Sequence, residues 1–159
     1  MSSNTPEVNE DFVDMLMALE ANKADFLIVG AYALAAHGFP RATGDIDILV
    51  EPTVENAKRV YQALLEFGAP VDAHGVSPKD FESKDAVYQI GLPPRRIDLL
   101  TSISGVEYDE AAKDAVPGLI GACEVRFIGR AALIKNKSST GRTKDLADVE
   151  QLRAIEAPE

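Results

Sequence analysis

Asp45-Ile46-Asp47-Ile48-Leu49-Val50 is the stretch that decides how this chain folds. Carboxylate and isoleucine alternate and then give way to a wholly apolar run, the mark of a strand with one open and one packed face. Side chains two apart on a strand project to the same side, so Asp45 and Asp47 stand next to each other. Two adjacent carboxylates repel each other and lose hydration, which costs stability unless a positive charge joins them. A divalent cation with oxygen ligands answers that need. Taken alone, the pair also suits a solvated strand end that merely blunts a sheet edge.

Upstream, Phe26-Leu27-Ile28-Val29 is an apolar run too short for a helix and reads as a buried strand, followed at once by Gly30 and Ala31. A short helix from Ala31 to His37 then stops at Gly38, with Pro40 beyond it. A strand that passes through Gly-Ala into a helix offers backbone N–H groups and a positive dipole end, and its small side chains admit a phosphate. The chain returns from Gly30 within about fifteen residues to deliver Asp45 and Asp47. Arg41 and Thr43 in the connecting loop add donors for a phosphate or a base. Further upstream, Thr5-Pro6-Glu7 reads as a helix start, with Val8, Phe12, Met15, Leu16 and Leu19 at helical spacing. Residues 1–6 are expected to be flexible and residues 7–157 to form one domain.

Downstream, Pro52-Thr53 caps a helix whose apolar positions run from Val54 to Leu65 and which ends at Gly68. Residues 69–85 read as loop, with a short turn begun by Ser77-Pro78. Residues 86–90 and 95–100 read as two strands joined by Gly-Leu-Pro-Pro, a hairpin. A helix over 106–115, a strand over 125–128 and helices from Arg130 onward, broken at 138–141, complete the pattern. Interleaved strands and helices predict a single α/β (α+β) domain, a mixed β-sheet with helices packed on it. On the second hairpin strand Asp98 is an acid embedded among apolar residues. If that strand neighbours the Asp45 strand, three carboxylates converge, enough to hold the two metal ions of an in-line phosphoryl displacement.

At 159 residues, 46% of them hydrophobic and 26% charged, the chain suits one folded domain. Sixteen basic and 26 acidic side chains leave a formal net charge of −10, which argues against bulk binding to DNA or to anionic membrane. Between Val125 and Lys144, however, Arg126, Arg130, Lys135, Lys137, Arg142 and Lys144 occur without one acid, a local cationic surface suited to phosphates. No apolar stretch approaches the roughly 20 residues that span a bilayer, so a cytoplasmic location is expected. Cys123 is single and reads as a buried structural thiol.

Gly30-Ala31, His37-Gly38, Arg41, Thr43, Asp45-Ile46-Asp47 and the isolated Asp98 together resemble the nucleotidyltransferase superfamily that includes DNA polymerase beta. More narrowly, they resemble the bacterial branch of AbiEii-type and related small nucleotidyltransferases, many encoded in toxin–antitoxin or phage-defence pairs. The likeness runs from about Phe26 to Leu152 and continues through Leu133-Ile134-Lys135 and Gly141-Arg142-Thr143-Lys144-Asp145-Leu146-Ala147-Asp148. It implies that Asp45, Asp47 and Asp98 bind Mg2+ or Mn2+, with Asp98 activating the acceptor hydroxyl. It implies a nucleotide-binding role for Gly30, Ala31, Arg41, Thr43 and Lys135, the last matching a helix lysine that faces the nucleotide. Gly-Ala stands where the family carries Gly-Gly or Gly-Ser, so a serine hydroxyl donor is missing.

Two functions follow. The first is an enzyme that transfers a nucleoside monophosphate from an NTP such as ATP to an acceptor hydroxyl on a protein, RNA or small molecule. The second is a non-catalytic, antitoxin-like partner that uses the same fold to bind a nucleotide or a cognate toxin or antitoxin protein. A two-metal phosphohydrolase would need His or carboxylate ligands beyond these. Asp145 and Asp148, one helical turn apart, read as ion-pair partners for Arg142 or Lys144, and His37 as a partner for a helix C-terminus.

Overall fold

The computed structural model describes residues 9–39 and 44–156; Arg41, Thr43 and the expected helix start at Thr5-Pro6-Glu7 lie outside them. In chain order the elements are α1 (Glu10–Ala21), β1 (Phe26–Val29), α2 (Gly30–Ala36), β2 (Ile46–Val50) and α3 (Val54–Phe67). There follow β3 (Val87–Ile90), β4 (Ile97–Leu100), α4 (Tyr108–Lys113), β5 (Val116–Ile120), β6 (Cys123–Phe127), α5 (Arg130–Thr140) and α6 (Thr143–Glu156). One 3-10 turn, Pro78–Phe81, interrupts the long loop where Ser77-Pro78 predicts it.

The strands form one sheet in the order β3-β4-β2-β1-β6-β5. Neighbours β2 and β4 run parallel, as do β1 and β6, whereas β1–β2, β3–β4 and β5–β6 are antiparallel. The two most apolar strands are the central ones: all four residues of β1 are buried, and all of β2 except Asp47. Such strands need cover on both faces, and helices supply it. Helix α1 packs on α3 and β6, α2 on β1, β2 and β6, and α5 on α4 and α6. Phe12, Met15, Leu16 and Leu19 are the buried stripe of α1, capped by Asn9 in the described structure.

Strand β5 has no counterpart in the sequence reading. Pro117 and Gly118 in its middle are depleted in strands, and both are tolerated here because β5 is an outer strand paired on one side only. A second unpredicted feature is Asn56, buried at 1% exposure in the first turn of α3. Its amide accepts from the Asp25 N–H at 2.7 Å and donates to the carbonyls of Asp25 and Glu51 at 3.0 Å each. It ties the entrance of β1 to the exit of β2, satisfying backbone groups that would otherwise be stranded. Among the described residues no helix is long and apolar enough to cross a membrane.

Candidate active site

The parallel register of β2 and β4 sets Asp47 opposite Asp98, and the antiparallel registers beside them set Val29 opposite Asp47 and Gln89 opposite Asp98. Residues paired across strands share a face, so one row crosses four strands as Val29, Asp47, Asp98 and Gln89. Asp98 is only 6% exposed. The row lies where β1 ends and where β2 and β4 begin, and β1 leaves it directly into α2.

That junction needs glycine twice over. Gly30 has φ +67°, and a Cβ there would collide with the Asp47 carboxylate. The missing side chain therefore lets a carboxylate lie against the start of α2. Ala31 follows in the same turn, and Val29, the residue before the helix, gives no side-chain cap, so the first N–H groups of α2 lack the usual side-chain acceptor.

Asp45 sits just before β2 and is joined to the others by Arg96. The Arg96 backbone N–H donates to Asp45 Oδ1 at 3.0 Å, while Ile46 N–H donates to the Arg96 carbonyl at 3.0 Å. The guanidinium is a fork on Asp98, with Nε 2.7 Å from Oδ1 and Nη2 3.2 Å from Oδ2, and the same Nη2 lies 3.3 Å from Asp45 Oδ2. One nitrogen thus bridges carboxylates from two strands. The hydrogen bond to Asp98 leads in raising the Arg96 pKa, so the side chain stays cationic.

Asp47 is the least compensated member. Burial first, then the charge of Asp98 and a hydrogen bond shared with it, then the charge of Asp45, push its carboxyl up to about 6, against the lowering pull of Arg96. Two acids crowded in this way hold a proton or a cation between them. The donor set of hard oxygens suits Mg2+ or Mn2+ chemically. Its present arrangement is drawn around the guanidinium, and among the described residues no three His, Cys, Asp or Glu side chains form a ready metal-binding group.

The structure thus brings together Asp45, Asp47, Asp98, Gly30 and Ala31, and does not bring Lys135 to them. Lys135 is 56% exposed, pairs with Glu110 of α4 at 2.9 Å, and lines a hollow with Ser102, Gly105 and Glu107, beyond the far end of β4. The physical reason is direction: α5 starts at the carboxylate end of the sheet and runs away from it, carrying Lys135 more than a turn along. The expected cationic surface is also reduced, since Lys137 is tied to Asp145 and Asp148 and Arg142 to Asp145. Asp145 pairs with Arg142, one of the two partners the spacing suggests, and Lys137, which the spacing does not suggest, joins Asp145 to Asp148. His37 Nε2 lies 2.8 Å from the Ile128 carbonyl oxygen, and His74 Nδ1 2.8 Å from the Tyr88 hydroxyl. Cys123 is buried.

Arg96 is the residue that reading the sequence misses. Its signal is present: Arg96 and Asp98 are two apart, as Asp45 and Asp47 are, so pairing the two strands in parallel sets a cation within the acids. A hollow of about 790 Å3 near Lys23, Phe26, Pro117 and Arg126 contains none of the predicted residues.

Several solved structures share this architecture. The antibiotic-resistance factor ANT(2'')-Ia, solved with adenylyl-2''-tobramycin, superposes with a TM-score of 0.57 at 15% identity over 92% of this chain and 87% of that one. The lincosamide adenylyltransferase LnuA, lincomycin-bound, gives 0.55 at 15% over 94% and 99%. A candidate nucleotidyltransferase from Thermotoga maritima gives 0.54 at 12% over 98% and 96%. This chain has the nucleotidyltransferase fold. No family profile matches it, and no curated protein does. The nucleotidyltransferase-fold chain therefore stands far in sequence from the neighbours whose architecture it shares, and its chemistry must be argued from its own residues.

Proposed function

We propose that this protein is a metal-dependent nucleotidyltransferase that moves a nucleoside monophosphate from an NTP to an acceptor hydroxyl. The observation that carries the reading is the register of Asp47 against Asp98 at the mouth of a glycine-led helix. Asp45, Asp47 and Asp98 would hold Mg2+ or Mn2+, which when bound neutralises the triphosphate and stabilises the leaving pyrophosphate. The N–H groups of Gly30 and Ala31 receive phosphate oxygens at the start of α2. Asp98 takes the proton from the acceptor hydroxyl as its oxygen bonds to the α-phosphorus, and the bond from that phosphorus to the pyrophosphate oxygen breaks. Gln89, exposed beside Asp98 on the outer strand, offers an amide to orient the acceptor.

The acceptor we favour is a small molecule with a free hydroxyl, because two neighbours of this fold hold modified or unmodified antibiotics. A toxin–antitoxin or phage-defence setting rests on the sequence resemblance alone. The non-catalytic alternative draws on Arg96, whose guanidinium pairs with Asp45 and Asp98 from within the chain. Pyrophosphate release separates the two. With ATP, Mg2+ and a panel of hydroxylated acceptors, the wild type should release pyrophosphate, and Asp98→Asn should fold normally yet lose about 10^3-fold or more in rate. Release undiminished in the variant, or absent with every acceptor and every NTP, would defeat the proposal.

A further inference from the structure

We propose that a hollow beside the outer strand β3 seats the acceptor, and that it takes a neutral molecule with a flat ring whose hydroxyl reaches back across Gln89 to Asp98. The inference deepens the proposed function and rests on it. Gln89 belongs to both places. It stands opposite Asp98 in the row, and with His74, Val76, Phe81, Val87 and Tyr88 it lines a hollow of about 540 Å3. That volume suits a small ligand of one or two rings. Because β3 ends the sheet and pairs with β4, Asp98 lies one strand spacing, about 4.8 Å, behind Gln89.

The walls set the chemistry. Tyr88 and Phe81, both buried, have ring centroids 6.5 Å apart, and the His74 ring meets Tyr88 edge-on at 5.6 Å. Val76 and the exposed Val87 add apolar surface. Aromatic and aliphatic walls of this kind hold a flat ring by offset or edge contacts. Among the described residues lining the hollow there is one carboxylate, Asp80, and no lysine or arginine, and Asp80 Oδ2 already accepts the Ser77 N–H at 2.8 Å. A polycation finds too little acid there and an anion no fixed cation, so a neutral molecule fits best. The loop wall is also held by its own hydrogen bonds. The N–H groups of His74, Gly75 and Val76 donate to the carbonyls of Pro70, Asp72 and Val71 at 3.1, 3.2 and 2.8 Å. A wall formed in advance lowers the ordering cost of binding.

The test uses the intact protein with 2-naphthol and 2-naphthaleneethanol, one ring system that carries its hydroxyl at two reaches. In the 15N-labelled wild type both should shift the backbone amides of Val76, Tyr88 and Gln89. With ATP and Mg2+, at least one should serve as acceptor, giving its adenylyl phosphodiester and pyrophosphate. Val87→Glu sets a charge on the apolar rim at an exposed position. It should raise Kd and KM for these alcohols about tenfold, with the loss in kcat/KM carried by KM and the Kd for Mg2+–ATP unchanged. Leu119→Glu places the same charge on the opposite outer strand, also exposed, and should stay within twofold of the wild type throughout. Four outcomes overturn the inference and leave the transferase reading standing: amide shifts confined to residues away from the hollow, Val87→Glu within twofold of the wild type, equal weakening in Leu119→Glu, or turnover of neither alcohol while other acceptors yield pyrophosphate. If no acceptor yields pyrophosphate with any NTP, both readings fall.

Discussion

Two charged clusters of similar make-up lie in this small domain, and they are built to opposite ends. Where α5 meets α6, Lys137 reaches Asp148 at 2.9 Å and Asp145 at 3.3 Å, Arg142 reaches Asp145 at 2.8 Å, and the Thr140 hydroxyl donates to Asp145 at 2.7 Å. Burial alone would raise the Asp145 pKa, but Thr140, Lys137 and Arg142 bring it below its ordinary value. In and beside the row across β1, β2 and β4, Asp45, Asp47 and Asp98 lie about the Arg96 guanidinium, and burial first, then the charge of Asp98, push the Asp47 carboxyl up to about 6. The first cluster closes its charge account within the protein. Among the described residues the second carries more acid than base, an imbalance of the kind that marks candidate functional sites.

The largest effect should come from breaking the balanced cluster. Asp148 is 2% and Lys137 13% exposed at the side chain, so Asp148→Ala leaves a buried ammonium short of a partner. The expected loss is about 3 kcal/mol in urea unfolding, or about 6–12 °C in Tm for a chain of this size. A Tm within two degrees of the wild type would mean that the α5–α6 junction does not depend on the pair.

The opposite sign is expected in the unbalanced row. Asp47 has a folded pKa of about 6 against an ordinary value of 3.8, so the folded chain holds the proton more tightly than the unfolded one. The linkage is therefore destabilising: absent below pH 3.8, growing as pH rises through this interval, and complete above about 6. The full shift would be worth about 3 kcal/mol. Screening around this half-buried group, whose neighbours are Asp98, Asp45 and Arg96, reduces the figure to about 1–2 kcal/mol. Metal-free Asp47→Asn should accordingly be more stable than the wild type at pH 7.5, with the gap closing near pH 4. Equal stability at both pH values would show that the row is not under charge stress.

Much of this was legible in the chain itself. The Asp45–Asp47 alternation, the apolar run of β1 and the glycine after it place three of the central features, because periodicity and backbone freedom act locally. Asp98 was legible as an oddity, an acid in an apolar strand, although its neighbour across the sheet depends on a register that no local pattern encodes. Arg96 escaped for that reason: its partner Asp45 is 51 residues away. Strand β5 escaped because Pro117 and Gly118 argue against a strand unless its place at the sheet edge is known. Asn56 reads as an ordinary helix residue until the chain ends it clamps are seen together.

Lys135 gives the comparison its finest test, and the smallest expected effect. Resemblance assigns it to the nucleotide, whereas its ammonium lies on Glu110 at 2.9 Å, with both side chains well exposed. It belongs to neither cluster, so removing it should disturb neither. An exposed pair of this kind contributes within about 0.5 kcal/mol, and Lys135→Ala should move Tm by no more than about 2 °C. By the same placement, the Kd for a Mg2+–NTP complex, measured by calorimetry, should change less than twofold. A tenfold loss of nucleotide affinity with unchanged Tm would instead mean that the lysine leaves Glu110 for the phosphates when the nucleotide binds. The unbalanced row would then recruit its missing positive charge from α5, and the separation drawn between Lys135 and the carboxylates would hold only for the free protein.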